Sequence, residues 1–208
     1  MSFAPLPGLV LRGVAAPLRL ADFGLIAFDM DSTLINIECV DEIADAVGLK
    51  AEVAAITEAT MRGEIADFKE SLRRRVALLQ GVPETALHEV YERRLRLNPG
   101  AEALVRACQA AGLKTLLVSG GFTFFTERLR ERLGLDFTRS NVLEIESGRL
   151  TGRLVDQPWG DICDGANDLP MMGEAGLGVA FHAKPAVRER AMVSIEDGGL
   201  DRLLEILR

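Results

Sequence analysis

Long apolar runs are missing from this chain. No stretch approaches the ~18 consecutive apolar residues of a membrane-spanning helix. Between residues 3 and 20 the apolar positions are interrupted by Pro5, Pro7, Arg12, Gly13, Pro17 and Arg19, so neither a membrane partner nor a signal peptide is expected. Basic charge is scarce too: 24 Lys and Arg stand against 31 Asp and Glu, for a formal net charge of −7. The cluster Arg73-Arg74-Arg75 is too local to reverse that balance, which argues against nucleic acid as a partner. Cys39, Cys108 and Cys163 are odd in number and scattered. They form neither a disulfide framework nor a paired zinc spacing, and a cytoplasmic, reducing environment is expected. His88 and His182 lack cysteine or carboxylate company at ligand spacing and read as structural. What remains is 208 residues, 48% of them hydrophobic, enough for one sizeable core or a core with a small insertion.

The most informative stretch is Phe28-Asp29-Met30-Asp31-Ser32-Thr33-Leu34, directly after the apolar run Leu25-Ile26-Ala27-Phe28. A short apolar run of this kind fits a strand buried on both faces of a parallel sheet. Asp29 and Asp31 then lie just past its carboxyl end, where open α/β sheets bind ligands. Residues i and i+2 of an extended chain share a direction, so both carboxylates can enter one site. Their mutual repulsion calls for a cation, and hard oxygen donors suit Mg²⁺.

Downstream, apolar residues at helical spacing predict helices over 39–47, 51–61, 68–80 and 83–95, with Gly48, Gly63 and Gly81 as stops. Four helices without a strand suggest an inserted helical cap. Asn98 as N-cap and Pro99 in the first turn return the chain to the α/β layer through a helix ending at Gly112. Residues 114–118 form a second buried-strand candidate, with Ser119-Gly120-Gly121 at its carboxyl end and a helix over 123–133 next. This is a plausible phosphate seat, because glycines let backbone amides approach an anion at a helix N-terminus. Residues 144–155 alternate around Ser147-Gly148 as a β-hairpin. Asp164-Gly165-Ala166-Asn167-Asp168 opens a helix carrying Leu169, Met171 and Met172, and short strands at 178–181 and 192–195 precede a closing helix over 200–207.

The order Asp-x-Asp, Ser-Gly-Gly, Asp-Gly-x-Asn-Asp resembles the haloacid-dehalogenase-like phosphatases, and within them the phosphoserine-specific branch, over about residues 25–208. The resemblance implies an α/β fold with a Rossmann-like parallel-sheet core and an inserted helical cap. The core would be discontinuous, 1–37 and 98–208, with the cap at 38–97 carrying specificity. It implies Mg²⁺-dependent hydrolysis of O-phosphoserine, the last step of serine biosynthesis, through an aspartyl-phosphate. Asp29 would be the nucleophile and Asp31 the general acid and base. Asp29, Asp31 and Asp164 would hold the metal together with Asp168, while Asn167 orients the metal shell and belongs with Ser119 and Gly120 among the groups around the bound substrate. Glu38 would meet the substrate ammonium. Ser71-Leu72-Arg73-Arg74-Arg75-Val76 matches the segment whose last arginine, here Arg75, pairs with the substrate carboxylate. Met61 and Phe68 would close the apolar side of the pocket. The plainer readings are a solvated first-turn acid for Glu38 and a surface cation for Arg75.

One departure stands out. Such phosphatases carry a lysine on a helix between the last two motifs, followed by a buried strand ending in Gly-Asp-Gly. From Phe122 to Cys163 this chain has no lysine, and Ile162-Cys163 is too short an apolar run for that strand. A crossover helix with its strand amounts to roughly two dozen residues, so the chain reads as joined across a gap near Asp164-Gly165-Ala166. A chain truly lacking that segment would be expected to have little phosphatase activity. Two other functions remain open from the residues: hydrolysis of another small phosphate ester, or a catalytically silent binding module with this fold.

Overall fold

A computed structural model describes residues 7–158, 160–162 and 168–208, with Asp168 described in its backbone alone. The fold is α/β. Leu25–Phe28 (β2) and Lys114–Phe122 (β3) pair in parallel, with Phe28 opposite Leu117. β3 pairs in parallel with Phe137–Glu146 (β4), and β4 pairs antiparallel with Arg149–Val155 (β5). Ser147 and Gly148, at φ 50° and 74°, supply the left-handed pair that a two-residue hairpin turn requires. A second sheet has the order β1-β7-β6. In it Leu9–Leu11 (β1) runs antiparallel to Val193–Ile195 (β7), and Val179–Phe181 (β6) runs parallel to β7.

Among the described residues the strands fall into two sheets. One expectation about this layer is corrected: β2 is not buried on both faces, since Phe28 is buried but Leu25 is 50% exposed. The reason is positional, since β3 covers one edge of β2 and no described strand covers the other.

The helical segment contains Cys39–Ala46 (α1), Lys50–Met61 (α2), Phe68–Leu78 (α3) and Thr85–Glu89 (α4), the last continuing as a wider turn over Val90–Arg94. Asp67 caps α3 by accepting from the Lys69 amide at 2.8 Å. Ala101–Ala110 (α5) begins later than expected, and Asn98 does not cap it with its side chain. Its Nδ2 instead donates to the carbonyls of Thr33 at 2.8 Å and Ile35 at 2.9 Å, fastening the returning chain to the exit of the Asp-x-Asp turn. Gly100, at φ 77°, starts the helix. A Cβ there would lie 2.1 Å from Asp201 Oδ1, so this close approach requires glycine. Thr123–Leu133 (α6) follows β3 directly, and Asp168–Glu174 (α7) and Pro185–Arg188 (α8) flank β6. The closing segment, Leu200–Glu205, is a 3-10 helix that ends two residues before the expected limit. No helix among the described residues is long and apolar enough to cross a membrane.

Candidate active site

Asp29 is the first residue beyond β2, and both Asp29 (φ −76°, ψ 159°) and Asp31 (φ −69°, ψ 130°) have extended backbone. The fully buried Met30 anchors the turn between them, its carbonyl accepting from the Ile35 amide at 3.0 Å. Ser32 then takes a left-handed conformation, φ 57°. That reversal brings the chain back so that Asp31 Oδ2 accepts from the Cys39 amide, the first of α1, at 3.0 Å. An amide at a helix N-terminus favours the ionised carboxylate at that oxygen. Ser32 Oγ donates to Glu38 Oε1 at 2.6 Å. Glu38 is therefore not a merely solvated acid: it is tied to the Asp-x-Asp turn.

Ser119, Gly120 and Gly121 fall inside the irregular end of β3, where pairing with β4 shifts between Val118 and Phe122. Ser119 is buried, and its Oγ accepts from the Gly121 amide at 2.9 Å. A Cβ on Gly121 would stand 2.6 Å from Met30 Cε, 3.1 Å from Ser119 Oγ and 3.6 Å from Asp31 Oδ2. The Asp-x-Asp turn and the Ser-Gly-Gly turn thus meet around this glycine, which no larger residue could replace without displacing Met30.

Nothing in the sequence singled out Asn141, yet it ties the site together. Its Nδ2 donates to the Gly120 carbonyl at 2.8 Å and to the Ile162 carbonyl at 2.7 Å, and its Oδ1 accepts from the Ile162 amide at 2.9 Å. The one available signal was an asparagine within a strand, since a buried amide there needs partners for all its polar atoms. The neighbouring Asp161, its side chain 5% exposed, receives Arg73 Nε from α3 at 2.7 Å. The segment approaching Asp164 is therefore held from the strand side and from the helical side.

Arg75 on α3 is half-buried, and its buried Nε has no hydrogen-bond partner among the described residues. Burial raises the Asp41 carboxyl above its ordinary range, and the positive charge of Arg75 partly opposes that rise. Arg75 is therefore partly withdrawn from solvent, with its charge near Asp41 of α1. Met61 and Phe68, 61% and 45% exposed, stand at the facing ends of α2 and α3. Lys184 Nζ lies 3.8 Å from Met61 Sδ.

Asp164 and Asn167 lie outside the described residues, as does Cys163, and Asp168 opens α7. Among the described residues no cluster of three or more His, Cys, Asp or Glu could hold a metal. Asp29 and Asp31 nonetheless fit Mg²⁺, which binds through one or two carboxylates and completes its shell with water and phosphate oxygens. Cys39 and Cys108 are buried, and burial pushes the Cys108 thiol up to about 11, so it offers no thiolate nucleophile at neutral pH. The two histidines have structural settings: His88 packs edge-on against Phe124 at 4.8 Å, and His182 Nε2 lies 2.9 Å from the Gly198 carbonyl.

A family model for haloacid dehalogenase-like hydrolases matches residues 26–173. The chain is 66% identical to a phosphoserine phosphatase of Albidiferax ferrireducens over 229 aligned positions, covering 97% of each chain. Because 229 positions exceed the 208 residues here, at least 21 of them face no residue of this chain. A solved phosphoserine phosphatase carrying an analogue of the phospho-aspartyl intermediate aligns with TM-score 0.80 at 34% identity, over 89% of this chain and 99% of that one. A substrate-bound phosphoserine phosphatase aligns with TM-score 0.80 at 33% identity, over the same shares.

Proposed function

The chain belongs to the haloacid dehalogenase-like hydrolase family, and from that premise we propose that it hydrolyses O-phosphoserine to serine and phosphate through an aspartyl-phosphate. The observation that carries this reading is the meeting of Asp31 and Ser119 around Gly121 at the end of β3, with Asp29 at the end of β2. Glu38 and the half-buried Arg75 are a carboxylate and a guanidinium suited to an amino acid's ammonium and carboxylate. This pairing favours phosphoserine over other small phosphate esters.

In this reading an Asp29 carboxylate oxygen attacks phosphorus, forming the acyl-phosphate O–P bond as the ester P–O bond breaks. Asp31 protonates the leaving serine oxygen. Cys39 N–H engages its Oδ2 and holds the carboxyl in place. Asp31 then takes a proton from water as its oxygen attacks phosphorus, releasing phosphate and restoring the Asp29 carboxylate. Ser119, Gly120 and Asn167 contribute hydrogen-bonding groups around the phosphoryl oxygens. Mg²⁺ held by Asp29, Asp31, Asp164 and Asp168 would offset negative charge on those oxygens when bound. Residues 38–97 act as the cap over a core of 1–37 and 98–208, with Met61 and Phe68 turned to the pocket when the cap closes. A cytoplasmic setting suits the scattered, partly buried cysteines.

The test is phosphate release with Mg²⁺ from O-phosphoserine and from a panel of small phosphate monoesters. Preference for O-phosphoserine, lost in Asp29→Asn with an unchanged circular dichroism spectrum, is the expected result. Equal turnover by Asp29→Asn would refute the nucleophile, and preference for another ester would refute the substrate.

A further inference from the structure

The two sheets face each other across one cavity of about 630 Å³, bordered by Leu25–Phe28 of β2 and by Val179–Phe181 of β6. β2 gives one edge to β3, and β6 gives one to β7. Among the described residues neither is paired on the side toward the cavity. The cavity is therefore walled by two strand edges whose backbone N–H and C=O groups constitute a pairing template, and by apolar side chains such as Leu203 and Leu207. At one point it reaches Asp29. The exposure of Leu25, 50% in a strand of four apolar residues, has the same origin.

We propose that this cavity is a strand-docking slot for an extended apolar segment of a separate polypeptide, which hydrogen-bonds to β2 on one side and β6 on the other and joins the two sheets into one. Both bordering strands already take part in parallel pairing, so the slot favours a strand in that same direction. A small apolar molecule could fill the volume but would leave both edges without partners; a strand satisfies both. The size of the occupant is also indicated. The Albidiferax ferrireducens relative has at least 21 aligned positions with no counterpart here, and a crossover of a dozen or more residues plus one strand accounts for a shortfall of that order. The fitting segment is thus a run of about five apolar strand-forming residues such as Val and Ile, in a cavity that Asp29 borders.

The experiment titrates the intact chain with a synthetic peptide whose centre is an apolar run of about five Val and Ile residues, flanked by charged residues that keep it in solution. Isothermal titration calorimetry and thermal unfolding are the readouts. The expected result is one peptide per chain, a Kd of roughly 1–100 μM and a Tm that rises with peptide concentration. A second peptide with proline at two alternate positions of its apolar run cannot donate to both edges and should bind at least about tenfold more weakly. No binding up to about 1 mM, equal binding of the proline peptide, or a dimer of the chain that the peptide does not dissociate would each overturn the proposal. Turnover is not among these readouts, so a peptide that binds without permitting phosphoserine hydrolysis would sink the phosphatase reading and leave the slot standing.

Discussion

Asn141 grips Ile162 by its backbone from both directions, accepting from the amide at 2.9 Å and donating to the carbonyl at 2.7 Å. The same side-chain nitrogen donates to Gly120 at 2.8 Å. One strand residue thereby fixes the distance between the Ser-Gly-Gly turn and the segment that leads into the last acidic motif. Asn141→Ala leaves the carbonyls of Gly120 and Ile162 and the Ile162 amide without this partner, at a cost of about 1–3 kcal/mol in stability. Asn141→Asp keeps the acceptor and loses the donors. Urea unfolding should rank wild type above Asp above Ala, and phosphate release should fall at least about tenfold in both. Equal stability of Ala and wild type would remove Asn141 from this role.

Ser32 and Glu38 form a second link, between the nucleophile turn and the start of α1. Ser32 holds Glu38 and touches no reacting atom in the proposed mechanism, so its loss should act on substrate binding. Ser32→Ala is expected to raise KM for O-phosphoserine by roughly 2–10-fold, the factor equivalent to one hydrogen bond, with little change in kcat. In a Glu38→Gln background the added effect of Ser32→Ala should shrink, because the two changes break the same interaction. Additive effects in that double-mutant cycle would count against the link.

These residues also mark where sequence patterns stop being informative. The limits of α6, the hairpin at Ser147-Gly148 and the strands at β6 and β7 follow from local signals: helical spacing, positive-φ turn residues and short apolar runs. Asp29, Asp31, Ser119 and Gly120 were legible because residues following strand ends stand out against apolar runs. Asn141 was not, since a single polar residue in a strand has no period and its partner lies 21 residues away. Asn98 misled for the same reason: its local capping preference lost to two carbonyls more than sixty residues distant. The division of the sheet was likewise hidden, because pairing of β2 and β6 is a property of the space between them and not of either strand.

Asp136 gives a stability prediction with a defined pH window. The Lys114 ammonium, followed by the amide and hydroxyl of Thr115, holds its carboxyl down to about 2 from an ordinary 3.8. A carboxyl depressed in the folded state stabilises the fold above its unfolded value, and that contribution disappears as pH falls through the folded value. Asp136→Asn should therefore be less stable than wild type at pH 5–7. Below about pH 4 the gap should narrow, and it should close near pH 2. Urea midpoints measured across this range would show it; a gap that stays constant down to pH 2 would mean that the contact is not electrostatic.

The rate itself is the last expectation. Transfer of a phosphoryl group through a site holding Asp29 and Asp31 concentrates negative charge, and a cation near its oxygens stabilises the transition state. No lysine stands between Phe122 and Cys163. Lys184 is engaged at Met61, on the helical side of the molecule. Losing one such transition-state donor lowers turnover by roughly 10²–10³. At saturating O-phosphoserine and Mg²⁺, kcat should therefore lie below an ordinary ~10 s⁻¹ by about that factor. A kcat near ~10 s⁻¹ would mean that another group carries the charge, and Lys184→Ala would then be the variant to measure, because Lys184 is the cation already reaching toward the α2–α3 junction.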